Sequence, residues 1–129
     1  MTIDLWMLVA TAALQWALIM AVATPNLLLK GLSWGFGNRD EDAEAKLPSW
    51  LPRMQRANQN LAENLPIFAV LVLVVHLSGH ANATTALGAE IFFGARLLHP
   101  VIYVIGIPVV RTLVWTVSIV GMVMIATAL

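Results

Sequence analysis

Cysteine is absent from this 129-residue chain, which removes disulfides, thiolate metal sites and a protein thiol nucleophile. Any sulfur chemistry must be brought by a small molecule. Charge is also scarce: 11% of residues are ionised and the formal net charge is zero, so no global field draws in nucleic acid. Asp40, Glu41, Asp42 and Glu44 offset the basic residues of their own loop. His76, His80 and His99 fall at different levels of the chain and lack the clustered spacing of a zinc site, so no metal is expected. No polar second domain, internal repeat or low-complexity tail is present. Ahead of the first apolar stretch stands Asp4 rather than a basic cluster, and the stretch is too long for a signal peptide, so it reads as a retained helix.

What fills the chain instead is hydrocarbon. With 60% hydrophobic residues and a mean hydropathy of +0.83, it is far too apolar for a soluble domain of this size. A membrane core of about 30 Å takes about 20 helical residues. Four segments approach that length, at about 3–29, 51–78, 84–105 and 109–129, which predicts an all-α membrane protein: one domain over residues 1–129, folded as a four-transmembrane-helix antiparallel bundle. The apolar part of the second segment is short, but Pro48 and Pro52 mark an earlier helix start in polar surroundings. Residues 30–50 form the sizeable loop, with Gly31, Gly35 and Gly37 as breakers and Trp34 and Trp50 as interfacial anchors. Pro25, Pro66 and Pro100 fall within helices, where each is expected to introduce a kink.

The basic residues set an orientation. Lys30, Arg39, Lys46, Arg53 and Arg56 crowd the 30–50 loop and the start of the second helix, Arg111 opens the fourth helix, and the turn between the second and third helices has none. The positive-inside rule therefore makes the loop cytoplasmic and turns both termini away from the cytoplasm.

Ionisable groups at membrane depth are expensive, so they are where function is sought. In the second helix Arg56, Asn60 and Glu63 stand at i, i+4 and i+7; in the third, Arg96, His99 and Tyr103 stand at i, i+3 and i+7. Each set shares one face. Glu63 lies roughly 16 Å from Pro52 and Arg96 roughly 14 Å from the inner helix end, which places them at matching levels. With Arg111 and Thr112 opening the fourth helix and Lys30 closing the first, the helices would supply one cationic pocket suited to a carboxylate-bearing anion. Structural alternatives stand beside this reading. Glu63 and Arg96 form an internal ion pair in one of them, Lys30 snorkels to the surface, Arg111 obeys the positive-inside rule, and Arg53 and Lys46 meet solvent or lipid headgroups. A transport reading, with the pocket as an anion path, is opposed by the lack of matching basic residues in the outer half.

The Arg56, Asn60 and Glu63 spacing resembles the Arg-x-x-x-Asn-x-x-Glu signature of the MAPEG family, the membrane-associated proteins in eicosanoid and glutathione metabolism. Arg96, His99 and Tyr103 resemble the third-helix pattern of its microsomal glutathione transferase and prostaglandin E synthase branch. Arg111-Thr112 after a proline resembles the Arg-Ser pair that opens the fourth helix. The resemblance covers essentially the whole chain, and the compact form resembles that of a bacterial member, implying an inner-membrane location.

It implies a homotrimer with glutathione bound between subunits, acting as a transferase or peroxidase on a lipophilic electrophile or lipid hydroperoxide that arrives from the surrounding membrane lipids. Arg56, Asn60, Glu63, Arg96, His99 and Tyr103 would bind glutathione, with Lys30 contributed by the adjacent subunit and Arg111 and Thr112 facing the sulfur. The family also includes non-catalytic lipid- or peptide-binding scaffolds. Lys30 stands where members often have arginine, Gln59 where some have a further arginine, and Thr112 where they have serine. Trp16 and Trp115 are assigned to an apolar wall between the first and fourth helices, along which the lipophilic substrate would enter.

Overall fold

The computed structural model describes residues 1–38 and 47–129. Arg39, Lys46 and the acidic Asp40, Glu41, Asp42 and Glu44 lie outside the described residues. The fold is all-helical. The long helices are α1 (Ile3–Lys30), α3 (Trp50–Leu77), α4 (Ala83–Ile105) and α5 (Pro108–Ala126), and a short α2 (Leu32–Phe36) occupies the start of the expected 30–50 loop. Each long helix is long and apolar enough to cross a membrane.

Local chemistry explains the helix ends. Thr2 caps α1, its hydroxyl accepting from Leu5 N–H at 3.4 Å, and Asp4 sits in the first turn where the dipole favours a negative charge. Gly31, at φ 92°, divides α1 from α2, so the chain turns there instead of entering a loop at residue 30. A capping box opens α4: Asn82 Oδ1 accepts from Thr85 N–H at 3.0 Å while Thr85 Oγ1 accepts from Asn82 N–H at 2.9 Å. Gly106, in the left-handed region at φ 86° and ψ 43°, closes α4, and Pro108 starts α5 at a position that needs no backbone donor. Only Gly106 and Ile107 separate the two helices, so α4 and α5 form a hairpin. Pro25, Pro66 and Pro100 all lie inside continuous helices.

The core follows the buried faces. Phe68 of α3 and Phe92 of α4 stack with ring centroids 4.0 Å apart and planes inclined by 14°. One turn before Phe92 on the same face of α4, Gly88 meets Gly121 of α5, and the pair let the α5 backbone come close. A Cβ at Gly121 would stand 2.5 Å from the Gly88 carbonyl oxygen, so neither position has room for a side chain. Helix α1 packs on α3 and α4, α5 packs on α3 and α4, and the α1 and α5 backbones do not come within 8 Å of each other at any Cα. Large apolar side chains such as Leu77, Val109 and Leu113 remain exposed on the outer surface, as lipid-facing groups must.

Candidate functional site

The site begins at the seam between α3 and α4. At 100° per residue around α3, Asn60 stands about 100° from the buried Leu61 and Glu63 about 200° from it. Asn60 therefore flanks the core, whereas Glu63 turns outward and is exposed. Across the seam, Arg96 Nη2 donates to Asn60 Oδ1 at 2.7 Å. The Arg96 side chain is 1% exposed, and its Nε and Nη1 have no partner among the described residues. The Glu63–Arg96 ion pair weighed from matching depth is not formed. Rotation around the helix axis, which depth alone ignores, gives the guanidinium to the amide instead.

Along the C-terminal half of α4, His99 is buried and meets the Tyr103 ring edge-on, with centroids 5.5 Å apart and planes at 71°. The face of Tyr103 holds Arg111 from α5, whose Cζ lies 4.6 Å from the ring centroid. The two-residue turn before Pro108 brings the first turn of α5 beside the last turn of α4, which makes this contact possible. Thr112, next in sequence, donates its hydroxyl proton to the Pro108 carbonyl at 3.1 Å. Asn60, His99, Tyr103, Arg111, Thr112 and Trp115 line one cleft of about 220 Å³. No carboxylate pairs with Arg96 or Arg111 among the described residues, so the cleft is cationic. No cluster of three or more His, Asp or Glu suited to a metal ion occurs among them either.

A family model, that of the MAPEG family, matches residues 5–129. The chain belongs to the MAPEG family. It is accordingly a multi-pass integral membrane protein, in keeping with its four apolar helices. No curated protein and no solved structure matches it.

Within this MAPEG chain the remaining sequence-derived residues are distributed differently. Arg96 lies behind Asn60 and does not line the cleft, and Arg56 and Glu63 are exposed outside its wall. Lys30 lies in a separate cleft of about 320 Å³ among α1, α2 and α3, with its Nζ 4.3 Å from the Trp34 ring centroid. Trp115 borders the Arg111 cleft, but Trp16 is exposed on α1, whose backbone is not a close neighbour of α5. The wall expected from these two tryptophans therefore does not exist within one chain.

Arg53 is a residue whose place the sequence reading missed. It meets neither solvent alone nor only headgroups: its Nη1 donates to the Val104 carbonyl at 3.2 Å, and a Cβ at Gly106 would lie 2.8 Å from that same nitrogen. A cation at the C-terminus of α4 satisfies an orphan carbonyl and the negative end of the dipole together. The signal was available, since Arg53 sits near the N-terminal end of its helix, level with the Gly106 turn that ends its neighbour.

Proposed function

We propose that the protein is a glutathione-dependent membrane enzyme, a transferase or peroxidase that activates the glutathione thiolate toward a lipophilic electrophile or lipid hydroperoxide. The observation that carries this reading is the convergence of Arg111, Tyr103, His99, Thr112 and Asn60 on one cationic cleft in a MAPEG chain. A free thiol titrates near ~8.5, and lowering that by two units takes ~2.7 kcal/mol of preferential thiolate stabilisation. A guanidinium held over an aromatic ring at membrane depth is a group of the right charge and setting for that.

The residues divide the work. Asn60 and His99 hold groups of the tripeptide within the cleft, Arg56 and Glu63, exposed beside it, hold its charged ends where the ligand extends beyond the cleft wall, and Tyr103 fixes the Arg111 guanidinium that faces the sulfur. The thiol proton leaves to solvent. The thiolate then forms a C–S bond as the leaving group departs with its electron pair, or attacks a peroxide oxygen as the O–O bond breaks. Thr112 joins only by exchanging its Pro108 carbonyl for the sulfur, since one hydroxyl carries one proton.

A cleft of about 220 Å³ is smaller than the roughly 300–1,000 Å³ of ordinary ligand sites. This supports a site completed by a neighbouring subunit of a homotrimer, with the neighbour's α1 bringing Lys30 and Trp16 against α5. The proposal includes a cytoplasm-facing cleft in a bacterial inner membrane, with both termini on the far side and the lipophilic substrate entering from the lipids.

The test is a glutathione titration of the detergent-solubilised protein, following thiolate absorbance in the ultraviolet, with Arg111→Ala beside it. A saturable signal lost in the variant is the expected result. The engagement of the Thr112 hydroxyl with its own helix favours a second reading, a non-catalytic lipid- or peptide-binding scaffold. That reading gives no thiolate signal from a folded protein.

A further inference from the structure

The network behind the cleft gives Arg96 a task other than ligand contact. Arg96 is sealed from the cleft at 1% exposure, and its one hydrogen bond goes to Asn60 Oδ1 at 2.7 Å. Asn64 Nδ2 approaches the same oxygen at 3.5 Å while donating to the Asn60 carbonyl at 2.9 Å. A guanidinium has only donors to offer, so chemistry alone decides which end of the Asn60 amide faces inward. The oxygen must face Arg96. The Asn60 Nδ2 is left with no partner among the described residues, on a side chain that lines the cleft.

We infer that Arg96 is a positioning residue that pins the Asn60 amide, so that Asn60 presents N–H donors to the cleft and selects a ligand with an anionic or carbonyl oxygen at that point. The inference rests on the glutathione reading, in which a carboxylate or peptide carbonyl of the tripeptide meets those donors. An amide free to turn would offer its own oxygen to such a ligand in part of the population, and two oxygens repel. Pinning removes that state before the ligand arrives. Burial suits the task, because a guanidinium sealed from water has no competing acceptor to draw it away from Asn60.

Asn60→Asp separates positioning from simple adhesion between helices. The new carboxylate keeps the bond to Arg96 and turns it into an ion pair, so the tie between α3 and α4 survives, yet it shows the cleft an oxygen where the amide showed N–H. Glutathione affinity by equilibrium dialysis and thermal unfolding are measured on the detergent-solubilised full chain for the wild type, Asn60→Asp and Arg96→Lys. Asn60→Asp is expected to unfold at or above the wild-type temperature and to bind glutathione roughly tenfold more weakly or worse. Arg96→Lys, which keeps a charged donor but loses the planar fork, is expected to fall between the two.

Undiminished affinity in a folded Asn60→Asp overturns the inference, since an adhesive tie alone is retained there. Should that variant not fold, undiminished affinity in Arg96→Lys overturns it equally. A wild-type protein with no affinity for glutathione overturns the underlying reading, and this one with it, before any variant is compared.

Discussion

Arg111 approaches the face of Tyr103, with 4.6 Å between its guanidinium carbon and the ring centroid, and this contact joins α5 to α4 at the cleft. The ring, more than its hydroxyl, is what the guanidinium meets. Tyr103→Phe is therefore expected to keep most of the thiolate signal. Tyr103→Leu removes a cation–π interaction of about 0.5–2 kcal/mol, and turnover with glutathione should fall about two- to thirty-fold. Equal losses in both variants would show that the hydroxyl matters instead.

Arg111 and Thr112 are expected to differ in weight. Removing a charged stabiliser aimed at a developing anion costs roughly 10²–10³ in rate, the loss expected for Arg111→Ala. Thr112 already donates to the Pro108 carbonyl, so Thr112→Val should cost less than about tenfold. Steady-state turnover of the two variants, with glutathione and a generic aryl electrophile, provides the comparison.

The Gly106 turn makes a prediction about coupling. Gly106→Ala places a side chain at φ 86°, at about 1–2 kcal/mol, and also drives a Cβ against the Arg53 guanidinium. In an Arg53→Ala background the second cost vanishes. The double variant should accordingly be more stable to thermal unfolding in detergent than the two single effects predict by addition, and strict additivity would show that the guanidinium simply moves aside.

Further back along the α4–α5 seam, Gly121→Leu must separate two helices whose backbones nearly touch. The Cβ would meet the Gly88 carbonyl at 2.5 Å and the Phe92 nitrogen at 2.9 Å, and neither can yield as a flexible side chain can. A loss of about 1–3 kcal/mol or more is expected, seen as a lower unfolding temperature. Gly94→Ala, where nothing lies within 4 Å of the added Cβ, is the control and should be near neutral.

The fold was legible because hydrocarbon demands one kind of solution. Four apolar runs of sufficient length become four helices, since backbone groups in lipid must be paired within the segment. Asn60, His99, Tyr103, Arg111 and Thr112 were legible as a group because helical spacing and the Gly106-Ile107-Pro108 turn bring them to one level. Depth could not say which member of a stripe points inward. Arg56, Asn60 and Glu63 share a broad face of α3, but only Asn60 reaches Arg96 and the cleft wall. Arg53 was hidden for a different reason: a loop-side arginine in a membrane protein obeys the positive-inside rule whether or not it also caps a neighbouring helix. Neither the separation of Lys30 from the cleft nor the lack of close backbone approach between α1 and α5 can be read from spacing, because both depend on which helices become neighbours.

The hydrogen bond between Arg96 and Asn60 also bears on how the chain enters the bilayer. An arginine at the centre of an isolated membrane helix costs about 2.5–3.5 kcal/mol on insertion scales. Arg96 lies nine residues before the end of α4, near the middle of the helix, and its partner belongs to the helix made just before it. By the time α4 leaves the ribosome, α3 already carries an acceptor for one of its N–H groups. Insertion of α3 and α4 as a pair would let the second helix cross with one of its guanidinium N–H groups already bonded to α3.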